Sequence, residues 1–291
     1  MPARSAFLPV LFVLGGVAAL SLMDAFMKSA ALAAGTFTAT WLRSVFGMML
    51  VAPVWLILNR PLVTRGAIKL HLLRGTVSTA MALTFFYAIT KLPIAEAIAI
   101  SFVAPLIALY LARLILGETI RREAIMASIL GFAGTLIVVG GRLGSGEVDA
   151  DTLLGLAAIL ASAVLYAYNF IVIRQQSQAA KPVEIAVFHS AVPMLLIGLG
   201  APLFFELPDV DATLDILAAA ALTVGAALAL AWAYARAEAQ ALVPLEYSGF
   251  VWASLFGWLF FRETVSATTL VGTVLIVAGS WLAARLPAKR A

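Results

Sequence analysis

An ionised side chain inside an apolar segment is the first chemical signal in this chain. Glu246 lies within Leu242 to Phe261, LVPLEYSGFVWASLFGWLFF, a stretch apolar enough to cross a bilayer. An acid at such depth is costly, so it reads either as a site for an amine, another cation or a proton, or as a hydrogen-bonded structural carboxylate or a snorkelling end residue. Glu246 shares a helical stripe with Gly249, Ala253 and Gly257, small residues that turn the carboxylate toward protein. Asp24 and Lys28 are four residues apart, acid first, the order that favours an intrahelical pair. Ser162, Tyr166 and Asn169 recur at i, i+4 and i+7 and form one polar face, suited to a cavity or a neighbouring helix. Glu96 opens an apolar run, where a carboxylate suits a helix N-terminus or a vestibule gate. Tyr87, Trp232, Tyr234, Tyr247 and Trp252 are able to wall a cation or a flat ring, and equally able to pack.

Other polar residues read as structural. Arg43 sits roughly 9 Å into its helix by helical rise, as a snorkelling cation beside the interfacial ring of Trp41. His189, beside Pro193, reads as a packing residue. Glu118 and Glu263 each stand ahead of a helix, where an anion suits the positive end. With histidine only at positions 71 and 189 and no cysteine, neither an HExxH site nor a Cys–His pair can be built. No GxxxxGK[ST] phosphate loop occurs either. No catalytic residue, cofactor or metal is therefore expected, and the chain does not read as an enzyme. A passive channel would need a polar lining through both halves, whereas the polar groups here are sparse.

The elements that position these residues follow from composition. Of 291 residues 63% are hydrophobic and 12% charged, against roughly 45–50% apolar and 25% charged in soluble domains. This is the composition of an all-α integral membrane protein. At about 20 residues per span, ten spans fit and leave only short loops. The sequence predicts them at Phe7–Ala30, Thr38–Leu58, Leu72–Thr90, Ile94–Leu114, Glu123–Val139, Thr152–Arg174, Val183–Leu203, Asp215–Ala235, Leu242–Phe261 and Ser266–Leu286. The first is too long for the apolar region of a signal peptide, and it carries Asp24 and Lys28, so it reads as a span.

With the N-terminus inside, fourteen Lys and Arg fall on the cytoplasmic side and three, Lys91, Arg142 and Arg262, on the other. That bias predicts both termini in the cytoplasm; a bacterial cytoplasmic (inner) membrane is the expected location. The basic balance of +4 thus reports orientation. No nucleic-acid partner is expected. Acidic outer loops carrying Glu147, Asp149, Asp151, Glu206, Asp209 and Asp211 read as solvated rims.

The chain also repeats itself. LGETIRREAIMASILGFAGTLIVV from Leu116 lies over FRETVSATTLVGTVLIVAGSWLAA from Phe261 at a shift of 145, aligning Glu118 with Glu263 and Gly134 with Gly279. The same shift places Tyr87 on Trp232, Asp24 on Asn169 and Ser101 on Glu246. Five spans per copy is odd, so residues 1–141 and 152–291 are expected as two inverted five-helix repeats of one membrane domain, with a solute site near the midplane.

On AEAIAISFVAPLIALYLARLILGET (Ala95 to Thr119), GFAGTLIVVGG and PLEYSGFVWASLFGWLFFRET (Pro244 to Thr264), the chain resembles the EamA-type, ten-helix branch of the drug/metabolite transporter superfamily. The resemblance implies a central cavity lined by spans 1, 3, 4, 6, 8 and 9, with spans 5 and 10 peripheral. It also implies secondary transport, in either direction, of a small metabolite such as an amino acid, an amine, a vitamin or a nucleotide-like cofactor. Depth then sorts the polar groups: Asp24, Lys28, Arg43, Tyr87, Glu96 and Ser101 outer, Asn169, Trp232, Tyr234, Glu246 and Tyr247 inner. Alternating access would hand a solute from one set to the other. The expected partners are that solute, the lipid bilayer and, for coupling, a proton; a homodimer is compatible with the sequence.

Overall fold

The computed structural model describes residues 4–57, 65–117, 122–144, 149–180, 182–236, 242 and 245–284. These residues form helices joined by short turns, as lipid requires when every backbone polar group must find its partner within the chain. Two expected spans run together in α1 (Arg4–Ile57), a 54-residue run that turns only at Gly35, where φ is 77° and ψ 147°. No bulky residue adopts that backbone without strain, and glycine supplies it. The loop expected over residues 31–37 is therefore a one-residue corner.

From there the order is α2 (Arg65–Lys91), α3 (Ile94–Ser101), α4 (Ala104–Leu116), α5 (Arg122–Leu143), α6 (Ala150–Ala179), α7 (Pro182–Gly198), the single turn α8 (Ala201–Phe204), α9 (Val210–Tyr234), α10 (Gly249–Phe261) and α11 (Ala267–Ala284). Asp149 and Asp209 cap α6 and α9, their carboxylates accepting from the amides of Thr152 at 2.8 Å and Ala212 at 2.7 Å. Leu8–Ile57, Gly66–Lys91, Ile94–Ile115, Ala150–Ile173 and Val210–Ala233 are long and apolar enough to cross a membrane, the first of them twice. Ser128–Leu143, Glu184–Gly198, Gly249–Phe261 and Ala267–Gly279 are shorter apolar helices. Together they account for the ten expected spans.

Two spans are discontinuous, which hydropathy does not reveal. The fourth breaks between α3 and α4, where the amide of Val103 bonds the carbonyl of Ile100 at 3.1 Å. Pro105 explains this, because its ring excludes the helical position of the carbonyl four residues back. The ninth breaks at Tyr247 and Ser248, where the amide of Ser248 bonds the carbonyl of Leu245 at 3.0 Å before α10 begins. At the shift of 145 both breaks fall on the same place of the repeat.

Packing places α1 against α9 and α7, α2 against α6 and α7, and α10 against α1 and α3. Met27, Ile89, Ile94, Ile100, Ile159 and Ile216, all fully buried, fill the interior. The fifth and tenth spans, α5 and α11, pack on each other. Gly134 and Gly272 meet there so closely that a Cβ on either would lie 2.5 Å from the other's carbonyl oxygen. Two ends of the bundle can be named by their residues. Gly35, Leu92, Arg142, Asp151 and Glu263 gather at one, and His71, Gln176 and Glu184 at the other.

Candidate functional site

The interior carries charge on both arms of α1. Asp24, buried on the first arm, lies within electrostatic reach of Arg43 on the second, across the Gly35 corner. Arg43 lays its guanidinium over the ring of Phe86, 5.3 Å from the centroid. The snorkelling reading of Arg43 is thereby overturned: its Nε is shielded from solvent, and Trp41 is occupied by donating to the carbonyl of Met194 at 3.0 Å. The helix face decides this. Arg43 points at the bundle, so its aliphatic stem leads inward.

The polar stripe of α6 divides its work. Ser162 donates to the carbonyl of Met81 at 3.1 Å, and Asn169 accepts from Ser78 at 3.3 Å, so both fasten α6 to α2. Tyr166, between them, stacks on Phe170 with centroids 4.7 Å apart and lies within electrostatic reach of both Glu246 and Asp24. It keeps 37% of its surface exposed. Glu246, also exposed, precedes the break at Tyr247 and Ser248. Gly249, Ala253 and Gly257 of the same stripe lie buried in α10.

Arg74 and His189 join this interior. Because α2 starts at Arg65, Arg74 stands roughly 13 Å along the helix. Its Nη1 donates to Gln176 Oε1 at 2.8 Å. His189 lies within electrostatic reach of both Arg74 and Arg43. Nε of each arginine and Nδ1 of His189 are buried without a hydrogen-bond partner among the described residues.

The Gly35 end is closed by ions across the two halves. Lys28 ignores Asp24; it donates to the carbonyl of Leu92 at 2.8 Å, pairs with the carboxylate of Glu263, and lies 5.1 Å from the centroid of Phe261. Glu263 also accepts from the amide of Ile94 at 2.8 Å. It thus serves a helix N-terminus, as expected of it, but that of α3. Glu118 falls outside the described residues. Glu96, expected as a gate or helix-end acid, is buried with its carboxylate 4.0 Å from Arg142. Lys91 pairs with Asp151 at 2.7 Å.

At the opposite end lies a network that the sequence reading missed. Gln176 Nε2 meets His71 Nδ1 at 2.6 Å and His71 Nε2 meets Glu184 at 2.7 Å, so a polar chain runs Arg74, Gln176, His71, Glu184 across α2, α6 and α7. Gln176, His71 and Glu184 are all buried. These residues lay at or beyond the expected span ends, where polar side chains raise no suspicion.

The remaining candidates are mostly packing. Trp232 is sandwiched between Phe12, stacked at 4.3 Å, and Arg236, 4.2 Å from its centroid. Trp252 stacks on Phe256 at 6.2 Å. Tyr87 lies half-buried beneath Lys91, 6.0 Å away. Ser101 closes α3 by donating to the carbonyl of Ala97 at 2.9 Å. Tyr234 ends α9, and its side chain lies outside the described part. Tyr247 meets Phe102 edge to face at 5.1 Å. An apolar groove of about 400 Å³ between Leu22 and Phe26 of α1 and Leu222 and Gly225 of α9 is lined by none of these polar groups. Among the described residues no group of His, Asp and Glu is arranged to hold a metal.

A helical bundle of ten apolar segments in two copies, closed at one end and charged within, defines a polytopic membrane protein of the transporter type. Residues 7–140 and again 153–285 match the EamA-like transporter family, and the chain belongs to it. It is similar to the pseudopaline exporter CntI of Pseudomonas aeruginosa, 27% identical over 88% of this chain and 89% of that one. The riboflavin transporter of Brucella anthropi is 26% identical, over 77% and 82% of the two chains. The S-adenosylmethionine uptake transporter of Rickettsia bellii is 24% identical, over 83% and 81%. A crystal structure at 21% identity shares the fold, with a TM-score of 0.64 over 94% of this chain and 96% of the other.

Proposed function

We propose that this protein is a secondary active transporter of a small polar organic metabolite, working by alternating access between residues 1–141 and 152–291. The observation that carries the reading is that Asp24 and Arg43 hold charge inside a bundle whose Gly35 end is latched by Lys28 and Glu263. Charge inside lipid is retained for a solute or ion pathway. The relatives are named for different solutes and for both export and uptake, so a metabolite with amine, amino-acid, vitamin or nucleotide-like character is in scope. We read the chain as a carrier and not an enzyme.

On this reading the Gly35 end faces outward, both termini are cytoplasmic in a bacterial inner membrane, and the latched state opens to the cytoplasm. Glu246 is the group for a substrate amine or a coupling proton. The test is counterflow in proteoliposomes over amino acids, amines, nucleosides and vitamins. A carrier gives saturable uptake that trans-solute accelerates, whereas linear flux without counterflow would mark a channel. Glu246→Gln should flatten the pH dependence of uptake; unchanged transport across the pH series removes Glu246 from the route.

A further inference from the structure

We infer that Arg43, Arg74 and His189 form a carboxylate-binding subsite between α1, α2 and α7, so that the transported solute is an organic carboxylate; this rests on the transporter reading above. Three helices deliver the groups: the second arm of α1, α2 and α7. α7 meets both other helices beside His189, since a Cβ on Gly47 would lie 3.2 Å from Ser190 Oγ and one on Gly75 2.4 Å from the side chain of Val192, and His189 is within electrostatic reach of both guanidiniums. Among the described residues Arg74 donates to the amide oxygen of Gln176, and Arg43 has the ring of Phe86 and the field of Asp24. Neither arginine has a carboxylate within ion-pair distance among the described residues. Their Nε atoms, with Nδ1 of His189, are buried and unpartnered.

Two guanidiniums with no carboxylate within ion-pair distance among the described residues are held in low dielectric at a cost that an arriving anion relieves. A guanidinium presents a planar fork that matches the two oxygens of a carboxylate. His189 adds a third N–H at Nδ1 in the tautomer that an anion selects. Charge count decides between oxyanions. Asp24 and Glu246 share reach of Tyr166 in the same interior. Against two resident carboxylates and two resident guanidiniums, a single negative charge is better matched than the double charge of a phosphate monoester.

The experiment is a thermal-shift titration of the full-length protein in detergent, without any gradient. The probes are propionate, benzoate and cyclohexanecarboxylate, each against the carboxamide of the same skeleton, and phenyl phosphate. Each carboxylate should raise the melting temperature in a saturable way and its amide should not. Arg43→Gln and Arg74→Gln should each raise the half-saturating concentration about tenfold or more, the loss of one charge-assisted hydrogen bond. Arg43→Lys and Arg74→Lys, which keep the charge, should retain part of the response and serve if a glutamine variant fails to fold. Arg113→Gln, on the exposed end of α4, should respond like the parent. Equal responses to acid and amide, or a carboxylate response undiminished in both glutamine variants, overturns the subsite. A stronger response to phenyl phosphate than to benzoate overturns the choice of carboxylate. Because no flux is read, the two proposals separate: counterflow without a carboxylate response sinks the subsite alone, and a carboxylate response without flux sinks the transporter reading alone.

Discussion

Phe102 and Tyr247 hold the same position in the two repeats, 145 residues apart, and their rings meet edge to face with centroids 5.1 Å apart. Each stands at the break of its span. The two halves therefore touch each other through the residue at which each helix is interrupted, on the axis that relates them. A pair in this geometry contributes about 0.5–1.5 kcal/mol beyond its buried area. A double-mutant cycle of Phe102→Ala and Tyr247→Ala, read by equilibrium unfolding in mixed micelles, should return a coupling energy of that size. A coupling near zero would mean that the rings are merely adjacent.

The latch at the Gly35 end can be opened one residue at a time. Ser101 stands roughly 10 Å along α3 from Ile94 by helical rise, behind the Lys28, Glu263 and Ile94 contacts. In this naturally cysteine-free chain a Ser101→Cys reporter is unique. Adding Glu263→Gln should raise its labelling rate from outside about tenfold or more, since a charge-assisted bond between the halves is lost. An unchanged rate would show that the apolar packing alone holds this end shut.

The chain from Arg74 to Glu184 makes a prediction about stability. Glu184→Ala leaves the buried Nε2 of His71 without its partner, which should lower unfolding free energy by about 1–3 kcal/mol. His71→Phe, which keeps the stacking on Phe188 at 4.2 Å but removes both ring nitrogens, should in combination with Glu184→Leu lose less than the single change. Additive losses would argue that the two residues do not act as a unit.

The crossing of α5 and α11 leaves no room for a side chain. Gly134→Ala places a methyl against the carbonyl of Gly272, and overpacking of this kind costs about 1–3 kcal/mol. Gly134→Leu should fail to accumulate in the membrane. A Gly134→Leu protein with native melting behaviour would require the two helices to part.

Asp149 supplies a pH signature outside the bilayer. The amide of Thr152 donates to its carboxylate at 2.8 Å and holds its pKa below the ordinary 3.8. A lowered folded pKa means that the stabilisation is complete above the unfolded value and is lost as pH falls through the folded one. The gap in melting temperature between the parent and Asp149→Ala should thus be full at neutral pH and shrink below pH of about 4. A gap that persists unchanged in acid would assign the effect to something other than the cap.

What was legible in the sequence follows the physics of each signal. Hydropathy found the spans because burial in lipid constrains every residue of a helix, and the constant shift between Glu118 and Glu263 exposed the repeat because duplication preserves order. Local pairing rules failed for Lys28, whose partner Glu263 lies 235 residues away; the neighbouring Asp24 answers to Arg43. Whether an arginine snorkels or turns inward depends on which helix face meets the bundle, so Arg43 was misread. The turn at Tyr247 and Ser248 was invisible because its segment has no proline where Pro105 interrupts the other copy. Arg74, Gln176 and Glu184 lay at or just beyond the expected ends of their spans, and the start of α2 at Arg65 puts Arg74 deeper than its place near the end of Leu72–Thr90 implied.

The Gly35 corner has a consequence for how the chain enters a membrane. On insertion scales an aspartate or an arginine at the centre of a lone helix costs about 2.5–3.5 kcal/mol. Asp24 and Arg43 sit on opposite arms of a single corner, each within the other's field. A hairpin that enters whole carries its counter-charge with it, and the two costs offset each other. The first two spans are therefore one unit of biogenesis, and severing them at Gly35 would leave Arg43 to meet the bilayer without its counter-charge.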